Sequence, residues 1–207
     1  MFTGIIEELG EVVEVRKDRG GVRLSVQAKE VLNGTKVGDS INVDGVCLTV
    51  VDVSGKNFSV DVVKETLMRT TLSKLRCRSK VNLERAVQLN GRFGGHFVTG
   101  HVDCVGKIVK KTSSSITIQA PVEIMRYIFA RSSIAVDGVS LTVVECSHNR
   151  FEIAIIPHTA RMTSLGLKRE GSPVNLEADF LGKQVESLLS HREGITSEFL
   201  SKKGFMT

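Results

Sequence analysis

The sequence predicts an all-β protein built as two copies of one small barrel, followed by a helical tail. Three observations carry this. The chain repeats itself in register. Both copies read as short β-branched segments divided by turn residues. After the second copy the apolar spacing switches to that of a helix.

The repeat comes first. Residues 40–51 read SINVDGVCLTVV and residues 133–144 read SIAVDGVSLTVV, an offset of 93. The match runs without a gap to Ala86 opposite Asp179, with 21 identities over 47 positions. It includes Val81-Asn82-Leu83-Glu84 opposite Val174-Asn175-Leu176-Glu177. A second match, Phe2–Gly10 against Val98–Gly106 at offset 96, opens each copy. Gly91 and Gly94-Gly95 mark the junction, where a permissive backbone is needed. These matches divide the chain at 1–96, 97–180 and 181–207.

Within each copy, Ile41–Val53, Phe58–Val63, Ile116–Ala120 and Phe151–Ile156 are apolar and β-branched. Asp-Gly, Ser-Gly-Lys-Asn and Ser-His-Asn-Arg supply turns between strands. Units of about 85 residues with many short strands suggest a small closed barrel. A short helix is expected at Val122–Phe129, with Ala28–Leu32 as its counterpart. In the tail, Leu181, Val185, Leu188, Leu189, Ile195, Phe199 and Leu200 fall at helical spacing, weakened by Gly194. A lone amphipathic helix must bury its stripe either on its own chain or by self-association.

Composition narrows the function classes. Of 207 residues, 41% are hydrophobic and 25% charged, as in an ordinary globular protein. The net charge of +5 is interspersed, and aromatics are only 5%, so a nucleic-acid surface is not expected. No apolar run reaches the roughly 18 residues of a membrane helix. The chain opens Met-Phe-Thr-Gly without a signal-peptide pattern. Cys47, Cys77, Cys104 and Cys146 show no CxxC spacing, and a reducing cytoplasm is the expected compartment. The five histidines lack metal-ligand spacing, so no metal is expected.

Two copies of one fingerprint suggest two similar pockets for two similar ligands. The plain alternative is that Asp44-Gly45 and Asp137-Gly138 are only hairpin turns. The differences between copies are more informative: Cys47 stands opposite Ser140, Lys64-Glu65 opposite Pro157-His158, and Met68 opposite Arg161. An enzyme that treats two identical molecules as donor and acceptor has reason to differ there. Singly, Cys47 fits a small core residue and His101 a surface loop.

Together these motifs resemble the riboflavin synthase family. The resemblance rests on Met1-Phe2-Thr3-Gly4-Ile5, the run Ser40–Val50, Lys64-Glu65-Thr66, and Gly94-Gly95-His96-Phe97-Val98-Thr99-Gly100-His101-Val102-Asp103. The second copy adds Ser133–Thr142 and Ile156-Pro157-His158-Thr159. The resemblance implies two tandem six-stranded Greek-key barrels and a C-terminal α-helix through which three chains assemble. It implies a site between the first barrel of one subunit and the second barrel of the next. It implies a cofactor-free dismutation of two 6,7-dimethyl-8-ribityllumazine molecules into riboflavin and 5-amino-6-ribitylaminouracil. Association with a lumazine synthase shell is left open.

Carried over by motif, one pocket uses Gly4, Ile5 and Ile6, then Cys47, Leu48 and Thr49, then the strand Asp61, Val62, Val63, Lys64, Glu65 and Thr66. The other uses Gly100, His101 and Val102, then Ser140, Leu141 and Thr142, then the strand Ala154, Ile155, Ile156, Pro157, His158 and Thr159. Arg131-Ser132-Ser133 stands where the family commonly has Lys-Gly-Ser, and Arg131 would reach the neighbouring subunit's site with a differently shaped cation. The chemistry needs a proton taken from an activated methyl group. His101 is the candidate general base, imidazole being the side chain suited to proton exchange near neutrality. Cys47 is the candidate nucleophile or water-orienting group, and Ser40 shares that role. A binding-only antenna protein on the same fold, and a flavin reductase domain on a similar barrel, are the rival readings.

Overall fold

The structure, a computed structural model, describes residues 1–18 and 20–190. Strands β1 (Glu8–Asp18), β2 (Gly21–Gln27), β3 (Ser40–Val43), β4 (Val46–Ser54), β5 (Asn57–Val63) and β6 (Lys80–Arg85) close one barrel in the order β1-β2-β5-β4-β3-β6. Strands β7 (Cys104–Lys111), β8 (Ser115–Gln119), β9 (Ser133–Val136), β10 (Val139–Ser147), β11 (Arg150–Ala154) and β12 (Pro173–Ala178) close a second. Matched through the repeat, the two barrels have the same strand order, so the duplicated sequence is a duplicated fold. Each barrel encloses its own apolar core, with Phe58 and Phe151 at equivalent, fully buried positions. Burying a side chain of this size contributes about 1.5–3 kcal/mol.

The hairpin fingerprint reads out as local chemistry. Asp44 and Gly45 have φ of 46° and 87°, and Asp137 and Gly138 have 47° and 78°. A tight β-turn with both central residues left-handed matches the strand twist and accepts Asp-Gly readily. Along β4, Val46, Leu48 and Val50 are buried while Cys47 and Thr49 alternate outward. Along β10, Val139, Leu141 and Val143 are buried, and Ser140 and Thr142 alternate outward.

Among the described residues, four short helices accompany the barrels: α1 (Lys64–Arg69), α2 (Val122–Met125), α3 (Pro157–Met162) and α4 (Phe180–Ser190). Two corrections follow. The strand expected through Asp61–Thr66 stops at Val63, where α1 begins, and that expected through Ala154–Thr159 stops at Ala154, before α3. Lys64, Glu65 and Thr66 are therefore first-turn helix residues, as are Pro157, His158 and Thr159. Pro157 suits the first helical position, since its missing N–H is not needed there. In α1, Glu65 and Arg69 form an i,i+4 ion pair at 3.3 Å. The helix expected over Val122–Phe129 is one turn long, and its counterpart at Glu30–Leu32 is a 3-10 turn.

The tail helix α4 is tied to its own barrel by polar contacts. Lys183 reaches Asp103 at 2.9 Å, and the Tyr127 hydroxyl and Arg126 both donate to Glu186. Its apolar residues Leu181, Val185, Leu188 and Leu189 stay exposed on the single chain. Gly194, Ile195, Phe199 and Leu200 lie outside the described residues.

The barrels face each other across an approximate two-fold axis. The Asn82 side chain donates to Asp137 O at 2.8 Å and accepts Ser164 N–H at 2.6 Å. Asn175 mirrors this, donating to Asp44 O at 2.7 Å and accepting Thr71 N–H at 2.7 Å. Phe2 and Val98 form an antiparallel bridge, with N···O distances of 2.7 and 3.1 Å. Both are fully buried, in a cluster with Ala135 that Cys47 packs against.

One charge breaks the symmetry. Asp44 and Asp137 are both buried at this junction, and Lys168 contacts Asp137 at 2.6 Å. The repeat counterpart of Lys168 is Leu75, so Asp44 has no lysine of its own. Burial, and then the nearby Asp137 charge, push the Asp44 carboxyl up to about 7. Asp137 is raised by burial too, while the Lys168 ammonium beside it opposes the shift.

Candidate active site

The opening segment of each copy does not stay with its own barrel. Gly100 O accepts the Cys47 N–H at 2.8 Å, and Gly4 O accepts the Ser140 N–H at 2.8 Å. Thus Gly100-His101-Val102 lies along β4 of the first barrel, and Gly4-Ile5-Ile6 along β10 of the second. This corrects the grouping carried over by motif, which put Gly4–Ile6 with Cys47 and Gly100–Val102 with Ser140. Two long-range amide bonds decide it, and repeat order alone could not.

These crossings need glycine. Gly4 and Gly100 have φ of 76° and 80°. A Cβ on Gly4 would lie 2.6 Å from Ser140 Cβ, and one on Gly100 would lie 2.6 Å from Cys47 Cβ. Both backbones therefore pass too close to the facing strand for any side chain.

The first face gathers Cys47, Thr49, Ser40 and His101. Ser40 pairs with Thr49 across β3 and β4, so their side chains share the outer face. Thr49 and His101 are exposed and Cys47 half-buried, which leaves the face open to solvent. Val63, Lys64 and Glu65 are exposed at the adjoining end of β5 and start of α1. Leu48 and Val62 point into the core and can offer a ligand only backbone groups. Asp61 is engaged by Arg23 through two 2.7 Å contacts, which hold its carboxyl below the usual range.

The second face gathers Ser140, Thr142, Ile5 and, at the end of β11 and start of α3, Ile156, Pro157 and His158. Leu141 and Ile155 point inward, and Ala154 is exposed. Arg131 is exposed on left-handed backbone with φ of 73°. A residue that the sequence reading did not use stands here. His96 Nδ1 is 2.7 Å from Ser140 Oγ, and its Nε2 is buried without a hydrogen-bond partner. Burial lowers the imidazole from its ordinary value, with the Asp179 charge opposing the shift. Its place in Gly-Gly-His-Phe, beside backbone too tight for a Cβ at Gly95, was the available signal.

A cleft of about 780 Å³ lies at the edge of the first barrel, lined by Ser40, Thr3, Ile5, Glu7, Arg85 and Arg92 among others. Of the expected site residues it holds Ser40 and Ile5, but not Cys47, Thr49 or His101. Cys47 and Ser140 lie on the open faces rather than in this cleft. Among the described residues no cluster of His, Cys, Asp and Glu has the arrangement of a metal site, and no helix is long and apolar enough to cross a membrane.

Two further buried acids hold the opening segments. Glu84 accepts from Thr3 N and Gly4 N, and Glu177 from Thr99 N and Gly100 N. Burial raises both carboxyls while these bonds pull them down. Their signal was the duplicated Val-Asn-Leu-Glu, an acid kept at the same place in two otherwise apolar strands.

The lumazine binding domain family matches the chain twice, at residues 3–86 and 99–179. Riboflavin synthase from Actinobacillus pleuropneumoniae is 44% identical over 99% of this chain and all of that protein. This chain belongs to the riboflavin synthase family. The Bacillus subtilis riboflavin synthase is 40% identical over 99% of the chain and all of that protein, and the Mycobacterium bovis one 45% over 91% of the chain and 98% of that protein. Among solved structures, LumP complexed with 6,7-dimethyl-8-ribityl lumazine superposes with a TM-score of 0.77 at 27% identity. LumP with riboflavin superposes with a TM-score of 0.80 at 26% identity. Each covers 86% of this chain and 99% of LumP. The six-stranded barrel pair that the family resemblance implied is the observed architecture.

Proposed function

We infer that this protein is a riboflavin synthase, an enzyme that dismutates two 6,7-dimethyl-8-ribityllumazine molecules into riboflavin and 5-amino-6-ribitylaminouracil. The observation that carries the reading is a pair of equivalent faces with unlike reactive groups, Cys47 with His101 on one and Ser140 with His96 on the other, in a chain homologous to riboflavin synthases over its whole length. Equivalent faces suit two copies of one ligand. Unlike groups suit donor and acceptor roles.

One lumazine lies against β4, the end of β5 and the His101 segment. The other lies against β10, the end of β11 and the Ile5 segment. Backbone groups at the strand ends meet the pyrimidine edge, and Thr49, Thr142, Glu65 and His158 meet ribityl hydroxyls and ring carbonyls. His101 takes the methyl proton, while Cys47 orients or attacks at the acceptor ring carbon, with Ser40 assisting. Holding two rings face to face supplies much of the rate as effective molarity. The redox change is internal to the two substrates, so no cofactor enters the balance. The test is incubation of purified protein with the lumazine alone, followed by riboflavin fluorescence. Riboflavin should appear, and tight binding without turnover would place the protein among binding-only barrels instead.

The two open faces of one chain meet their counterparts on neighbouring copies in a cytoplasmic homotrimer held by the tail, with Arg131 reaching across. The exposed stripe Leu181, Val185, Leu188 and Leu189 supports this. Deleting residues 183–207 should give monomers of greatly reduced activity; a truncated protein that still sediments as a trimer would refute the role given to the tail.

Cys47→Ser makes the first face resemble the second with little change in volume. If the sulfur takes part in the chemistry, kcat falls roughly tenfold, about 1.4 kcal/mol in the barrier. Ser140→Cys should change kcat less. Small and equal effects of both substitutions would make Cys47 a packing residue.

A further inference from the structure

Glu84 and Glu177 stand on equivalent strands, β6 and β12, and are almost fully buried, with exposures of 4% and 2%. A buried carboxylate is expensive unless its oxygens are satisfied. The hydrogen bonds of each go to one place, the opening segment of its own copy. Glu177 accepts from Thr99 N at 2.7 Å, Thr99 Oγ1 at 2.6 Å and Gly100 N at 3.0 Å. Glu84 accepts from Thr3 N at 2.7 Å, Thr3 Oγ1 at 2.8 Å and Gly4 N at 3.1 Å.

The other side of each segment is held by the opposite barrel. Gly100 is gripped at its N–H by Glu177 of the second barrel and at its carbonyl by the Cys47 amide of the first. Gly4 is gripped at its N–H by Glu84 of the first barrel and at its carbonyl by the Ser140 amide of the second. A second link reaches His101 directly. The Thr99 hydroxyl donates to Glu177 and accepts the His101 N–H at 3.3 Å. The carboxylate of one barrel thereby fixes the backbone from which the other barrel's site residue projects.

We propose that Glu177 and Glu84 are positioning residues that act crosswise: Glu177, in the second barrel, places His101 at the Cys47 face of the first, and Glu84, in the first barrel, places Ile5 at the Ser140 face of the second. The proposal rests on the riboflavin synthase reading given above. It assigns each half-reaction a dependence on the barrel that does not carry its strand, so neither face is complete without the other barrel's acid. A purely structural role would instead damage both faces alike.

Double-substitution kinetics with 6,7-dimethyl-8-ribityllumazine separate these cases. Glu177→Gln keeps one acceptor oxygen but turns an amide N–H toward the Gly100 N–H. It should lower kcat/KM roughly ten- to hundredfold, as a displacement near 1 Å does in other sites. Because Glu177 acts through His101, its loss should overlap that of His101→Gln, the double variant being close to the worse single one. Its loss should multiply with that of Ser140→Ala. Glu84→Gln should show the mirror pattern, overlapping Ile5→Ala and multiplying with His101→Gln. If either glutamine variant does not fold, Thr99→Val and Thr3→Val remove only the hydroxyl links and carry the same crosswise expectation, with Thr99→Ser restoring activity. Glu177 multiplying with His101, or overlapping Ser140 instead, overturns the proposal while the enzyme's activity stands. A wild-type protein that makes no riboflavin overturns the functional reading and the proposal together.

Discussion

Gly100→Ala should cut kcat/KM by roughly a hundredfold and destabilise the fold by about 2–5 kcal/mol, the sum of a left-handed backbone penalty and an overpacking penalty. The residue sits at φ of 80°, and an added Cβ would meet Cys47 Cβ at 2.6 Å, N at 2.8 Å and Cα at 3.0 Å. All three atoms belong to a strand fixed in a barrel. The segment cannot retreat, because Glu177 holds Gly100 N and the Phe2–Val98 bridge lies just before it. The added methyl must therefore pry the His101 segment from β4, breaking the bond from Cys47 N. Gly171→Ala supplies the control, since its φ is 87° but its Cβ would meet nothing within 4 Å. Unfolding midpoints and steady-state rates compare the two. Equal losses in both would mean that the contact at Cys47 yields easily and the crossing is not a rigid feature.

Lys168→Met should be the most damaging change away from the open faces. It strands Asp137, whose carboxylate now faces Lys168 at 2.6 Å, in a fully buried junction beside Asp44. Removing one partner of a buried ion pair costs about 3–5 kcal/mol at neutral pH. Burial opposes the Lys168 charge, but Asp137 and Asp44 together hold its pKa above the ordinary lysine range, so the ammonium is present throughout the working range. The same junction sets a pH dependence. The Asp44 carboxyl is raised to about 7 in the folded protein, against about 3.9 in an unfolded chain. A raised folded value means the protonated form is favoured. The contribution is fully present below the unfolded value and lost as pH rises through about 7. Stability attributable to this group should therefore fall between about pH 4 and pH 7. Asp44→Asn should flatten that slope and leave the protein more stable than wild type above pH 7. Denaturant unfolding across pH checks both variants; an unchanged slope in Asp44→Asn would show that Asp44 is ionised throughout.

The helices α1 and α3 show where sequence periodicity stopped being enough. Val62-Val63 and Ile155-Ile156 are β-branched and extend the strand pattern up to Lys64 and Pro157. What ends the strands is the closure of the barrel, which leaves these residues at its rim, where a turn of helix satisfies the backbone that no neighbouring strand can pair. Pro157 carried a visible stop signal in the second copy. Lys64 carried none in the first, and only the repeat alignment could have transferred it.

His96 shows the same limit at the site. Its spacing from His101 excluded a metal pair, and nothing local linked it to Ser140, 44 residues away. Cys47 and Ser140 were found because the repeat itself aligned them. Their outward orientation also followed from the sequence, since alternation along a strand is a local property.

By itself the sequence determined the duplication, the strand segments, the Asp-Gly hairpins and the family, because each is written in contiguous residues or in a fixed offset. Only the tertiary structure decided which opening segment serves which face, that Glu84 and Glu177 clamp those segments, that Lys168 neutralises one of two buried aspartates, and that His96 bonds Ser140. The physical reason is common to all four. Each depends on tertiary contacts, within one barrel or between the two, that make neighbours of residues 31 to 136 positions apart, and burial then fixes their charge and hydrogen bonding.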